Sequence, residues 1–90
     1  SQARVEAGLR VAVALQADRI ERFRLAHGRL PDQLRETGEP LPGILYTRLD
    51  ATTYRVWARE GETRILHESG SDSMSVRIRD ALRVLREDDA

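Results

Sequence analysis

The stretch Arg22-Phe23-Arg24-Leu25-Ala26-His27-Gly28-Arg29-Leu30-Pro31-Asp32-Gln33-Leu34 decides how this chain is read. A helical pattern beginning near Val5 runs into it, Gly28 supplies a stop, and Pro31 prevents simple continuation because its ring has no N–H to donate. Upstream, Val5, Leu9, Ala12, Val13, Gln16, Ile20, Phe23, His27 and Leu30 recur at the spacing of one helical face. Only Gln16 and His27 interrupt the apolar set. A second set, Ala7, Val11, Ala14 and Leu15, falls on nearly the opposite side of the first half, whereas Arg19, Arg22 and Arg24 turn the second half polar there. A small sheet covers one face of a helix, so this second set is the candidate assembly interface; ordinary alanine-rich surface, which costs little to expose, is the competing reading.

Downstream, Pro31, Gly38, Pro40, Pro42 and Gly43 punctuate a connecting loop over 31–43, with one helical turn over 32–36 and with Leu30, Leu34 and Leu41 as its pins. Three strands are expected: 44–49, 53–59 and 62–68. Glu60-Gly61 is the expected two-residue turn, pairing Val56 with Ile65, Tyr54 with His67 and Ala58 with Thr63 on one face, and Trp57 with Arg64 and Arg55 with Leu66 on the other. The first face carries little charge and is the expected core, with the long helix lying across it. For the hairpin near Asp50-Ala51, an even loop puts Leu45, Thr47 and Leu49 on that face and an odd loop brings Tyr46 inward. After Ser69-Gly70-Ser71-Asp72-Ser73, the residues Met74, Ile78, Ala81, Leu82 and Leu85 trace a helical stripe, with Asp72 or Ser73 as its N-cap. The run 74–79 also alternates with period two, so a strand competes with the helix there.

The expected architecture is therefore α+β in one domain over 1–90: a helix over 1–30, a loop over 31–43, an antiparallel sheet of about three strands over 44–68, and a C-terminal helix over 73–87. Ninety residues bury roughly 60–65% of the unfolded chain's surface, enough for one modest core. The 15 basic and 15 acidic residues cancel, so no overall field draws the chain to nucleic acid, and no nucleic-acid partner is expected. Every basic residue is arginine and asparagine is missing, a usage that fits a GC-rich bacterial genome. There is no cysteine, which excludes disulfides and thiolate metal sites. No stretch reaches the roughly 20 apolar residues that span a bilayer. The sequence opens on Ser1, so an N-terminal address or anchor is expected to precede it; if Ser1 lies near the native start, the expected location is cytoplasmic.

The run Ser1-Gln2-Ala3-Arg4-Val5-Glu6-Ala7, the mixed apolar helix through Ala14-Leu15-Gln16, and the corner Phe23-Arg24-Leu25-Ala26-His27-Gly28-Arg29-Leu30-Pro31 followed by Leu34 resemble the exposed half of the spine helix and corner in type IV pilins and type II secretion pseudopilins. The resemblance covers about the first third of the chain and implies a non-catalytic fibre subunit. Its partners would be other pilin or pseudopilin subunits, met through the helix, and the inner membrane, reached through a preceding apolar segment. The domain itself would sit in the periplasm or outside the cell. Departures are the missing apolar start with its peptidase site, the missing disulfide, which fits a pseudopilin or minor pilin better than a major pilin, and the C-terminal helix. By the same resemblance, Glu68-Ser69-Gly70-Ser71-Asp72-Ser73 stands where major pseudopilins bind calcium, with Glu68 and Asp72 as carboxylate ligands; a serine-rich turn capping the last helix explains the same residues. Otherwise no cofactor is expected.

Nothing in the residues asks for an enzyme. His27 sits on the apolar face, His67 lacks a nucleophilic partner in sequence, and phosphate loops, metal-ligand spacings and paired carboxylates are missing. Arg55, Arg59 and Arg64 around Trp57 form an outer face of the kind that binds an anionic polymer, but the interleaved Glu60, Glu62 and Glu68 favour a self-paired solvent face. A small soluble interaction or dimerisation domain of α+β type is the alternative function.

Overall fold

The structure is a computed structural model and describes residues 1–70 and 82–87. Helix α1 spans Gln2–His27. The Ser1 hydroxyl caps its first turn by accepting from the Arg4 amide at 3.1 Å. Gly28 ends it in the left-handed conformation, φ 71°, and its N–H closes on the Arg24 carbonyl at 2.8 Å. Only glycine enters that region without steric cost, so this position stops the helix before Pro31 does.

The corner is fastened rather than loose. Leu30 and Pro31 are buried, and Leu34 and Leu41 pack against the core as the pins expected of them. A 3₁₀ turn covers Leu34–Thr37, somewhat later than the turn read from sequence. Glu36 organises it: the carboxylate accepts from the amides of Asp32 and Gln33 and pairs with Arg29 at 3.0 Å. The Arg29 hydrogen bond, followed by those from the backbone, holds the Glu36 carboxyl below its ordinary value. The Tyr46 hydroxyl donates to the Pro31 carbonyl at 2.7 Å, and Arg48 pairs with Asp32 at 2.9 Å, tying the corner to the first strand.

Strands β1 (Ile44–Arg48), β2 (Tyr54–Glu60) and β3 (Thr63–Glu68) form one antiparallel sheet in the order β1-β2-β3. The β1–β2 loop takes the odd-length alternative. Ile44 and Tyr46 therefore face inward opposite Ala58 and Val56, leaving Leu45 and Leu49 exposed. Asp50 shapes the loop, accepting from the Thr52 and Thr53 amides, both at 2.9 Å.

The β2–β3 turn corrects the sequence reading. Its central residues are Gly61 and Glu62, so Ala58 pairs with Ile65 and Val56 with His67. Gly61 has φ 59° and no other residue type adopts positive φ among the described residues, which matches a II′ turn with glycine in its first central position. A turn centred on Glu60-Gly61 would force Glu60 into the left-handed region. The slip is by two residues, so each side chain keeps its face.

The core consists of Val13, Ala17 and Ile20 from α1, Leu30, and Ile44, Tyr54, Val56, Ala58 and Ile65 from the sheet. The architecture is α+β, as expected. Residues 82–87 are helical, within the range expected of the C-terminal helix; its expected start, the competing strand over 74–79 and the caps Asp72 and Ser73 lie outside the described residues.

Candidate functional site

The outer side of α1 is the first candidate. Of the four residues expected to form an assembly face, Ala7 and Ala14 are buried, Val11 is half-buried and Leu15 is 48% exposed. The expectation is corrected for the two alanines. They fall in line beside Ala17, so the buried arc of the helix continues past the sheet-facing stripe instead of ending at it. What stays accessible is a narrower seam, Val11 and Leu15, continued by Asp18 and Arg22, which pair with each other at 2.9 Å. The spacing of four, three and four residues keeps these side chains in one row along the helix. Such a row can meet a second helix through two apolar side chains and one polar pair.

The second candidate is a cavity of about 360 Å³ between the C-terminal half of α1 and the start of β2, lined by Glu21, Arg24, Thr53, Tyr54, His67 and Ser69 among others. The Tyr54 hydroxyl donates to Glu21 at 2.7 Å, and Arg24 pairs with the other carboxylate oxygen of Glu21. Burial, then the hydrogen bond and negative charge of Glu21, push the Tyr54 hydroxyl well above the ordinary tyrosine range. Ser69 closes the strand end: its hydroxyl accepts from the Tyr54 amide at 2.9 Å and its amide donates to the Tyr54 carbonyl at 3.0 Å. His67 is buried edge-on to the Tyr54 ring, with centroids 6.2 Å apart. The carboxylate is thus engaged by two donors. Chemically, the arrangement fastens α1 to β2.

Sequence reasoning missed this link because Glu21 looks like an ordinary solvent-facing helix residue. The signal that could have found it is its place one residue beyond Ile20, at the rim of the buried stripe. Gln16 was legible as an interruption of that stripe. It is fully buried, its amide nitrogen donates to the Thr37 hydroxyl at 3.0 Å, and that hydroxyl donates onward to the Leu34 carbonyl at 2.7 Å. This chain joins the middle of α1 to the corner.

His27 lies at the surface, stacked on Phe23 with centroids 4.2 Å apart, while Arg29 sits 5.1 Å from the centre of the Phe23 ring. Glu68, one of the two expected calcium ligands, pairs with Arg55 at 2.7 Å; Asp72, the other, lies outside the described residues. Among the described residues no group of three or more histidine or acidic side chains is placed to hold a metal ion, and no helix is long and apolar enough to cross a membrane. The chain matches no family model, no curated protein and no solved structure.

Proposed function

We propose that this chain is the folded domain of a non-catalytic fibre subunit of the type IV pilin or type II secretion pseudopilin kind. In this reading α1 is the exposed half of a spine helix, an apolar segment N-terminal to it holds the subunit at the inner membrane, and the sheet domain lies in the periplasm or outside the cell. Its partners are other subunits of the fibre, packed helix against helix. The observation that carries the reading is the division of labour along α1. One side is buried on the sheet through Val13, Ile20 and their neighbours, the Gly28 corner is fastened by Glu36, and on the far side Leu15 is exposed and Val11 half-buried. A fibre needs both: a rigid hold on the domain and a free helical seam.

The coding sequence immediately upstream of Ser1 tests this. A leader-peptidase cleavage motif followed by about 20 apolar residues is the expected finding. A methionine codon directly before Ser1 would sink the reading and leave the alternative, a soluble dimerisation domain using the same Val11 and Leu15 seam.

A further inference from the structure

The outer face of the sheet carries an apolar row that nothing in the described chain covers. Leu45, Trp57 and Leu66 are in register across β1, β2 and β3, with Trp57 in the middle. Leu45 is 54% exposed, Leu66 37%, and Trp57 is half-buried between them. The rows on its two sides differ in charge. On one side Arg55 stands opposite Glu68 and pairs with it. On the other, Arg59 stands opposite Arg64, two like charges at adjacent positions that repel. Arg59 donates to the Gly61 carbonyl at 3.0 Å, and neither guanidinium has a carboxylate within ion-pair distance among the described residues. Arg10, Arg22, Arg24, Arg29, Arg48 and Arg55 all have one.

We propose that this face docks a short acidic and apolar peptide segment of another protein, its apolar side chains on Leu45, Trp57 and Leu66 and its carboxylates between Arg59 and Arg64. Charge selects the occupant. Two arginines held side by side favour a partner that brings carboxylates of its own and gains charge-assisted hydrogen bonds to them. A second copy of this face meets that need poorly: its Glu68 is already paired with Arg55, its Glu60 stands opposite Thr63 on the alternate row of β2, and its Glu62 lies in the turn. Size argues the same way: the three apolar side chains expose on the order of a few hundred Å², short of the roughly 800 Å² per partner of a standing protein–protein interface but enough to seat a peptide. A nucleic-acid strand fits less well, since one indole flanked by two leucines gives no run of stacking platforms. The inference is independent of the fibre reading, because it uses the face of the sheet turned away from α1.

Trp57 is the single tryptophan of the chain, so its fluorescence reports on this face alone. The probe is the acetylated peptide amide Leu-Phe-Leu-Asp-Asp, titrated into the whole chain beside a counterpart with lysine in place of aspartate. The expected result is a saturable blue shift with the acidic peptide, weakened by added salt, and none with the lysine peptide. The double variant Arg59→Ser and Arg64→Ser should bind at least tenfold more weakly with an unchanged circular dichroism spectrum; the double reversal Arg59→Glu and Arg64→Glu should take the lysine peptide instead. An equal response to both peptides, or no response at millimolar concentration, would overturn the proposal. So would a shift driven by protein concentration alone, which would mean a second copy, or stronger saturation by a single-stranded oligonucleotide.

Discussion

A few side chains carry much of the fold, and their burial sets what their loss would do. Ile20 and Val56 are both fully buried in the core. Ile20→Asp or Val56→Asp places an unpaired charge there at several kcal/mol, against a total stability of about 5–15 kcal/mol for a domain. Both variants should lose the cooperative thermal transition in circular dichroism. Leu15→Glu, on the open seam of α1, should shift stability by no more than about 0.5 kcal/mol. Equal damage from the exposed and buried substitutions would show that the two sides of α1 have been misassigned. Tyr54→Phe removes the hydroxyl that Glu21 accepts while leaving Arg24 in place, so a loss of about 1 kcal/mol is expected by chemical denaturation.

At the scale of elements, the turns explain what the sequence did and did not reveal. Gly28 was legible as the end of α1 because glycine followed by proline leaves few alternatives, and Leu30, Leu34 and Leu41 were legible as pins because they are the large aliphatic side chains of that stretch. The β2–β3 register was not, because Glu60-Gly61 and Gly61-Glu62 are both two-residue turns containing glycine; what separates them is which residue must take a positive φ. Gly61→Ala should therefore destabilise the hairpin by about 1–2 kcal/mol through backbone strain alone, since an added Cβ meets nothing within 4 Å. A denaturation midpoint unchanged by this substitution would argue against the II′ turn. The faces of the strands were legible despite the slip, because alternation fixes a face without fixing a partner. At the candidate site, Leu15 was legible as exposed and apolar, whereas Ala7 and Ala14 were not separable from it, since periodicity cannot say how wide the buried arc of a helix is.

For the whole molecule, pH ties these links together. The Arg29 hydrogen bond, and after it the backbone amides, hold the Glu36 carboxyl below its ordinary value, and the Thr52 and Thr53 hydrogen bonds do the same for Asp50. A depressed folded-state value stabilises the fold above the unfolded-state value, and that contribution is lost as pH falls through the folded one, so the corner and the first hairpin should weaken below about pH 4. At the other end, both tyrosines of the chain are raised, Tyr54 by burial and Glu21 and Tyr46 chiefly by burial. Their protonated forms are favoured in the folded state, so that contribution is present below about pH 10 and lost as pH rises beyond it. Ultraviolet titration should show no tyrosine ionising at the ordinary value while the protein is folded, with ionisation accompanying alkaline unfolding. Assembly is proposed for the whole molecule, and that proposal rests on the seam of α1. The most direct measurement is photo-crosslinking in cells of the full-length protein carrying benzoylphenylalanine at position 15, with position 32 on the corner as control. If the seam carries assembly, position 15 yields a ladder of multiples of the subunit mass and position 32 does not. A folded protein that yields only monomer from position 15 would contradict it.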